Sequence, residues 1–568
     1  MSRITLLLGL CYATGFAAVP NPIVIGPIPA RATPGDPSHD YPFFSTNVNL
    51  STYGFVEAEF FLEGTANRYN TPALATGTVI DGGHPYRTRM VVRRPTSEFT
   101  FNGTVILEWM NSAANYDLDG AWLASHDHFL RRGYAWVGIS AQQAGIHAPA
   151  TGLKVWSPAR YASLDVTQGG AILDDALSYD IFSQAARAVR SPAGVDPMGG
   201  LRVQRILAFG VSTAAARLVT YHNSVHPLAG VIDAFVIAEG GAQLRTDLPV
   251  KVFRFLTESE VSGTSTKQVP VSEPDSDHFR RWEVAGSSHL DFHVTGAFAP
   301  LLVRDFGTAP TPPCDLPSHS RIPAYVVVNA LYDQLVDWVT GYGVPPSAPA
   351  IQLQATGAVA RDRLGNALGG IRLPAHAVPT AVNSGVNAGP LFCRLYGTYQ
   401  PFDSVTLHSL YPDYITYLSR VIESTLDNLK AGLIVSEDAG EILSDAAAFG
   451  RSGLNNPAIA AGGVLDGRTF TAGPVTPGSV VSIFGFDLAT ITATGRISAD
   501  GDFPTKLFGT KVSFGAFSDA PLRYVSPTQI NAVVPPALAP GTYELTVSVY
   551  GMTSRVERVT VVAAGTGR

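Results

Sequence analysis

Residues 206–216 read Ile206-Leu207-Ala208-Phe209-Gly210-Val211-Ser212-Thr213-Ala214-Ala215-Ala216, and this stretch decides the fold. The apolar residues at its start predict a strand, and the small residues at its end predict the beginning of a helix. Ser212 lies in the turn between them, in a Gly-x-Ser-x-Ala pattern one residue away from the Gly-x-Ser-x-Gly nucleophile elbow. Gly210 and Ala214 are small enough to let strand and helix nearly touch, so Ser212 is the candidate nucleophile.

Strands and helices alternate on both sides of this stretch. Apolar patterns predict strands at 56–62, 87–94, 104–109, 134–141, 203–209, 231–238, 250–256 and 279–284, and helices at 121–132, 179–190 and 213–222. Such alternation indicates an α/β fold with a doubly wound, mostly parallel sheet that helices cover on both faces.

Reactive side chains follow three of the predicted strands, and ligands of parallel sheets bind at these carboxyl ends. Ser212 follows 203–209, Glu258 and Glu260 follow 250–256, and His289 follows 279–284. Ser, acid and His in this chain order are the triad order of the alpha/beta-hydrolase fold. His289 would take the hydroxyl proton as general base and return it to a leaving group, while a carboxylate orients the imidazole. Glu260 is the first choice for that carboxylate and Glu258 is the alternate.

Backbone N–H groups near the turn are the candidates for holding an oxyanion. Thr213 directly follows the nucleophile, and the polar loop that begins Asn111-Ser112 follows the strand 104–109. We expect the N–H of Thr213 and a second N–H from this loop to form the oxyanion hole.

The sequence resembles a family of bacterial alpha/beta-hydrolase-domain proteins whose elbow reads Gly-Glu-Ser-Gln-Ser-Ala, followed by Arg-Leu-x-Thr-Tyr-x-Asn. The resemblance covers about residues 45–450 and implies an alpha/beta-hydrolase fold. The matching stretches are Gly210-Val211-Ser212-Thr213-Ala214-Ala215, Arg217-Leu218-Val219-Thr220-Tyr221-His222-Asn223, Glu108-Trp109-Met110-Asn111, Val137-Gly138-Ile139-Ser140-Ala141-Gln142, Tyr179-Asp180-Ile181-Phe182-Ser183-Gln184, and Arg281-Trp282-Glu283-Val284-Ala285-Gly286 with His289.

The chain departs from this family at four site positions. Val211, Thr213 and Ala214 replace the Glu, Gln and second Ser of the elbow, and Glu260 stands where the family has Asp. The leading hypothesis is a serine hydrolase that acts on a carboxylic ester. Two alternatives stay open, which are a catalytically inactive binding protein of the same fold and hydrolysis of an amide or thioester by the same triad.

Three segments are predicted around the core of this domain. Residues 1–18, with Arg3 before an apolar run and small residues at its end, predict a secretory signal peptide rather than a membrane anchor, because the run is shorter than the roughly 20 residues that span a bilayer. Within the hydrolase domain at 19–454, residues 295–400 form a lid-like insertion. Residues 455–568 contain short β-rich runs and resemble an immunoglobulin-like sandwich of secreted bacterial proteins, which either binds a surface or polymer or serves as a stabilising or spacer domain.

Cysteine usage agrees with export to the periplasm or the outside of the cell. Once the signal is removed, Cys314 and Cys393 remain, and they are either a disulfide or two buried free thiols. A disulfide would close a loop of about 80 residues and contribute ~4 kcal/mol to stability.

Composition and motifs limit the partners. With 46% hydrophobic residues, 15% charged residues and a net charge of −7, the chain is globular and has no basic run, which excludes nucleic acid. No later segment predicts a transmembrane helix, and we expect a small-molecule or polymeric ester substrate without a cofactor. His126-Asp127-His128 is spaced too closely to bind a metal on one helix face, so we expect no metal site.

Overall fold

The computed structural model describes residues 19–263, 273–390, 392–453, 456–498, 501–515, 518–550 and 552–563. The predicted signal peptide at 1–18 lies outside these ranges. The chain forms two compact units. The first runs to His376 and also contains Asn383–Tyr399 and Lys430–Val435, and the second contains Ala377–Val382, Gln400–Leu429 and the chain from Ser436 onward.

The first unit is built on one large mixed sheet. Among the described residues its ten strands are β1 (Ile23–Ile25), β2 (Phe55–Asn70), β3 (Thr78–Pro95), β4 (Thr104–Trp109), β5 (Ala135–Ile139), β6 (Ala193–Gly194), β7 (Arg205–Val211), β8 (Ala234–Ala238), β9 (Lys251–Thr257) and β10 (Phe279–Val284). Their spatial order is β10-β9-β8-β7-β4-β5-β3-β2-β1-β6.

Strand direction divides this sheet into two parts. The six strands from β10 to β5 are parallel. Strands β4, β5 and β8 are buried along their whole length, as expected for parallel strands covered on both faces. The pairs β5–β3, β3–β2 and β2–β1 are antiparallel, and the short strand β6 pairs with β1 in parallel. The prediction of a mostly parallel sheet therefore holds for the part that carries the candidate site, whereas the sheet as a whole is mixed.

Helices pack around the sheet and follow the predicted pattern with some differences at their ends. The helices of the first unit are Gly120–Arg132, Gln143–His147, Leu153–Trp156, Pro158–Tyr161, Ser178–Arg190, Thr213–Thr220, His226–Ala229, Glu258–Val261, Phe292–Phe306, Tyr325–Thr340 and Cys393–Tyr396. The helix predicted at 213–222 ends at Thr220 and continues as a π-helical turn over Tyr221–Val225. None of the helices in the described ranges has the length and apolar character needed to cross a bilayer.

The segment after β10 holds a disulfide bond. Cys314 and Cys393 are bonded, with 5.4 Å between their Cα atoms. The bond joins residues 79 positions apart, so it ties the loop after helix Phe292–Phe306 to the short helix Cys393–Tyr396. The alternative of two free thiols is thereby excluded.

The second unit combines helices with an all-β region. Helices Ser404–Leu410, Tyr414–Lys430 and Ser436–Gly453 fall almost wholly in this unit, whereas the sequence suggests a domain boundary near 455. One antiparallel sheet contains Ala458–Asp466, Val480–Phe486, Gln529–Val533, Leu522–Val525 and Ala493–Thr494, and the other contains Ser518–Asp519, Thr510–Phe514, Gly541–Val549, Met552–Thr553 and Glu557–Val561. Ile483 of one sheet and Phe514 and Val547 of the other belong to one fully buried core. This is a β domain, and its immunoglobulin-like character remains a prediction.

Candidate active site

Ser212 lies in a strained turn between β7 and helix Thr213–Thr220. Its backbone has φ 58° and ψ −119°, a conformation that costs energy in any residue with a side chain. Two hydrogen bonds hold it there, because the N–H of Ser212 donates to the carbonyl oxygen of Ala238 at 3.1 Å and its own carbonyl accepts from Ala216 at 3.3 Å. A turn that is fixed in this way exposes the side chain at the end of the strand, as a nucleophile elbow requires.

Two glycines make room for this turn. A Cβ added at Gly210 would lie 2.9 Å from the carbonyl oxygen of Ala214. A Cβ at Gly240, after β8, would lie 3.0 Å from the carbonyl oxygen of Ser212. The contact at Gly210 is shorter than real Cβ atoms show, and the one at Gly240 would force the turn to shift, so the absence of side chains at these two residues allows the close approach of the backbone around Ser212.

His289 lies in the loop that follows β10. Its backbone N–H donates to the hydroxyl of Ser259 at 3.2 Å, which connects this loop to the end of β9. The side chain is 7% exposed, and it lines one enclosed cavity together with Ser212. Ser212 follows β7 and His289 follows β10, and the two residues are 77 positions apart in the sequence. The structure brings both to the same cavity.

Glu260 faces the imidazole from the end of β9. Its Oε1 lies 2.8 Å from Nδ1 of His289. Its Oε2 accepts hydrogen bonds from the backbone N–H, at 3.0 Å, and from the hydroxyl of Thr257, the N-cap of helix Glu258–Val261. This capping box holds the carboxylate in place. Because Nδ1 faces the Glu260 carboxylate, which accepts its hydrogen, Nε2 is the ring nitrogen that can accept a proton.

Glu258, the alternate acid, points elsewhere. It is fully buried, and its Oε2 accepts from the N–H of Gly286 at 2.9 Å. Its Oε1 accepts from the hydroxyl of Ser384 at 2.9 Å and from Arg361 at 2.6 Å. These contacts connect the His289 loop to the later segment of the chain. The geometry thus favours Glu260 over Glu258 as the acid beside the imidazole.

Of the predicted oxyanion residues, Thr213 and Ser112 line a pocket with Ser212, whereas the N–H of Asn111 donates to the carbonyl oxygen of Leu118 at 3.1 Å and is not available to an oxyanion. The hydroxyl of Thr213 donates to Oδ1 of Asn111 at 2.8 Å, and this oxygen also accepts the N–H of Ala113 at 2.9 Å. Ser112 is buried and lines a pocket with Thr213. Since N–H groups in the first turn of a helix have no partner within the helix, that of Thr213 is suited to receive an anion.

Glu239 is a site residue that the sequence reasoning missed. It directly follows β8, has φ 54°, and its N–H donates to the carbonyl oxygen of Phe255 at 2.8 Å. Its carboxylate lines the cavity, with Oε2 at 3.5 Å from Nδ1 of His289. The strand-end rule that selected the other residues would have found it, because the predicted strand 231–238 ends one residue earlier.

Two carboxylates therefore face one imidazole. Burial opposes a charge on His289, but Glu239 and Glu260 outweigh this effect and raise its pKa to about 9. Burial raises the pKa of Glu239 to about 8, an effect that His289 opposes and that Glu260 and Asp291 increase. The arrangement stabilises an imidazolium ion, the species formed when His289 accepts a proton.

An enclosed cavity extends from Ser212 and His289. The segment predicted as a lid-like insertion supplies much of its wall. Phe298 and Leu302 come from helix Phe292–Phe306, and Phe392 and Leu395 come from the chain beside the disulfide. Residues of the predicted insertion therefore form part of the cavity wall beside Ser212 and His289.

The histidines at 126 and 128 do not converge. Nδ1 of His126 lies 3.1 Å from the carbonyl oxygen of Trp122, whereas Nε2 of His128 lies 3.1 Å from Oδ1 of Asp333. In the described part of the chain, His, Cys, Asp and Glu form no group of three that could hold a metal ion.

Comparison with known proteins places this site in a family. A family model described as an alpha/beta hydrolase domain matches residues 24–444. Curated proteins offer no match to the chain.

Similar solved structures are distant. An a/b serine hydrolase without lid from Xanthomonas campestris is 12% identical, with 44% of this chain and 97% of that chain covered and a TM-score of 0.23. An acetyl xylan esterase from Paenibacillus sp. R4 is 14% identical over 35% of this chain and 55% of that one, with a TM-score of 0.18. A Geobacillus stearothermophilus carboxylesterase is 17% identical over 27% of this chain and 30% of that one, with a TM-score of 0.18. The family match includes every residue of the candidate site, and on that basis the chain belongs to the alpha/beta hydrolase domain family.

Proposed function

We propose that this protein is an exported serine hydrolase that cleaves carboxylic esters through an acyl-enzyme. The observation that carries the proposal is the 2.8 Å contact between His289 Nδ1 and Glu260 Oε1 in a cavity that Ser212 also lines. An imidazole oriented by a carboxylate, in the same cavity as a serine hydroxyl, supports activation of that serine as a nucleophile.

In the first half of the reaction, Oγ of Ser212 attacks the ester carbonyl carbon and its proton moves to Nε2 of His289. The negative oxygen of the tetrahedral intermediate accepts hydrogen bonds from the N–H of Thr213 and from that of Ser112, because the N–H of Asn111 already donates to the carbonyl oxygen of Leu118 at 3.1 Å. The bond between the carbonyl carbon and the alkoxy oxygen then breaks, and the proton on Nε2 passes to the leaving alcohol.

In the second half, water takes the place of the alcohol. It loses a proton to His289 as it attacks the acyl-enzyme, and the proton returns to Ser212 when the carboxylic acid leaves. Glu260 keeps the imidazole oriented and offsets its positive charge in both halves.

Export is proposed from two features. The apolar run within residues 1–18 has the pattern of a signal peptide. The disulfide between Cys314 and Cys393 is of a kind that persists in oxidising compartments.

The test compares purified mature protein with its Ser212→Ala variant. We expect the unchanged protein to hydrolyse short-chain nitrophenyl esters and to react with a fluorophosphonate probe, and the variant to do neither while keeping its melting temperature. Ser97→Ala, in the loop after β3, is the matched control and should behave like the unchanged protein.

Two results would contradict the proposal. Hydrolysis that persists in Ser212→Ala would show that the reaction uses another group. A folded, unchanged protein that neither reacts with the probe nor hydrolyses esters would support the inactive binding protein instead.

A further inference from the structure

The loop that carries Ser112 follows β4 and is held at both ends. Asn111 and Leu118 exchange two backbone hydrogen bonds across its base, at 3.1 and 2.8 Å. At its far end, the buried carboxylate of Asp119 is paired with the guanidinium of Arg93 on β3. These contacts fix the loop to the sheet at the carboxyl end of β4.

Within this loop, the side chain of Asn111 turns back toward its own backbone. Its Oδ1 accepts the N–H of Ala113 at 2.9 Å, which is the hydrogen bond of an Asx turn. The N–H groups before and after Ser112 are therefore both occupied, one by the carbonyl oxygen of Leu118 and the other by Oδ1 of Asn111. The N–H of Ser112 has no hydrogen-bond partner among the described residues, so it is available to an anion.

The same oxygen atom of Asn111 also contacts the helix that follows the nucleophile. The hydroxyl of Thr213 donates to Oδ1 at 2.8 Å. Thr213 is the first residue of helix Thr213–Thr220, so its own N–H has no partner within the helix. The side chain of Asn111 is 7% exposed, and its Oδ1 therefore joins, inside the protein, the two segments that supply the oxyanion N–H groups.

The spacing of these two N–H groups matters for the reaction. Each donor must lie about 2.7–3.1 Å from the position of the oxyanion, and a misplacement of about 1 Å can cost a factor of ~100 in rate. Ser112 follows β4 and Thr213 follows β7, and these strands are neighbours in the sheet. Since each segment is attached to the sheet through its own strand, the bond between Thr213 and Asn111 sets the position of one segment relative to the other.

We propose, as a refinement that rests on the proposed function, that Asn111 is a positioning residue whose side-chain oxygen holds the N–H groups of Ser112 and Thr213 at the spacing that the oxyanion needs. Asn111 acts through Oδ1 and not through its own N–H. The hydroxyl of Thr213 is the other half of the contact, so its loss should displace the loop relative to the helix and leave both oxyanion N–H groups in the chain.

The first test replaces Thr213 by Val, which keeps the backbone N–H and the branched shape but lacks the hydroxyl. For a short-chain nitrophenyl ester, kcat should fall about 10- to 100-fold. KM should change less than about twofold, because the oxyanion forms only in the transition state. Thr213→Ser restores the hydroxyl, so its kcat should stay within about threefold of that of the unchanged protein.

Thr220→Val is the matched control. It removes a threonine hydroxyl from the other end of the same helix, where the hydroxyl donates to the carbonyl oxygen of Ala216 at 3.2 Å. We expect its kcat and KM to equal those of the unchanged protein. The melting temperature of each variant shows whether the fold is kept.

A second readout reports on the oxyanion itself. An alkyl trifluoromethyl ketone adds to a serine hydroxyl and forms a tetrahedral adduct with a negative oxygen. Its dissociation constant should rise in Thr213→Val by the factor by which kcat falls, because the adduct needs the same two donors. A smaller folded fraction would lower kcat but would leave this dissociation constant unchanged.

A double-mutant cycle tests whether Asn111 and Thr213 act through one bond. Asn111→Ala should lower kcat at least as much as Thr213→Val does. The double variant should lose no more than Asn111→Ala alone, because the bond is already absent there. If Asn111→Ala does not fold, the comparison of Thr213→Val with Thr213→Ser decides the question without it.

The outcomes separate this inference from the proposed function. Unchanged kcat and unchanged ketone affinity in Thr213→Val, or losses that multiply in the double variant, would overturn the role of Asn111 while hydrolysis still depends on Ser212. Hydrolysis that persists in Ser212→Ala would overturn the proposed function itself.

Discussion

Replacing Glu239 by Gln should shift the pH dependence of hydrolysis toward lower pH. Catalysis needs His289 without its proton, so activity rises as pH increases through the pKa of the imidazole. The carboxylate of Glu239 lies 3.5 Å from Nδ1 and helps to raise that pKa to about 9. Removing this negative charge destabilises the imidazolium, so the variant loses the proton at lower pH.

The size of the shift follows from the distance. Two unit charges 3.5 Å apart attract by roughly 5 kcal/mol at an effective dielectric constant of about 20, which is an upper bound for this pair. Glu260 and Asp291, the other carboxylates near this centre, remain in the variant. We expect the midpoint to fall by about two pH units, toward pH 7, which corresponds to ~3 kcal/mol.

The assay is kcat/KM for a soluble short-chain ester between about pH 5 and about pH 10. Glu63→Gln is the control, since Glu63 is a partly exposed carboxylate of β2 that is paired with Arg87. An unchanged midpoint in Glu239→Gln, with the control also unchanged, would refute the reasoning, because it would mean that Glu239 carries no charge that His289 senses.

Three further predictions address the acid, the turn and the disulfide. Glu260→Gln should lower kcat by about 10²- to 10⁴-fold with little change in melting temperature. Glu258→Gln should mainly lower the melting temperature. The reverse pattern would show that Glu258 is the acid that orients His289. Gly240→Ala places a Cβ 3.0 Å from the nucleophile's carbonyl oxygen at φ 159°, so thermal melting should show a loss of several degrees, and an unchanged melt would argue against this close approach. Cys314→Ser and Cys393→Ser should each lower the free energy of unfolding in urea by up to about 4.5 kcal/mol, since the bond joins residues 79 positions apart, and reduction of the unchanged protein should cost as much.

The sequence by itself identifies the parts of the site that depend on local rules. Gly210 and Ala214 around Ser212 indicate a strand, a tight turn and a helix, because only small residues allow that approach, and the structure has the turn there. The sequence predicts the bounds of β4 and β10 to the residue. Strand β4 is buried along its whole length and reads as an almost continuous apolar run, as expected for a parallel strand covered on both faces, whereas β10 stands first in the strand order and contains two arginines. Residues at the ends of such strands can be named before any coordinates are known.

Tertiary structure alone decides what lies between those strand ends. Glu258 and Glu260 are two positions apart with the same chemistry, and only the capping box at Thr257 and the contact of Glu258 with Gly286 determine which one faces His289. The approach of Glu239 to His289 and the walls of the cavity beside Ser212 depend on distances between segments far apart in the chain. Hydrophobic periodicity and turn-forming residues do not specify such distances, because the distances depend on how the whole unit packs.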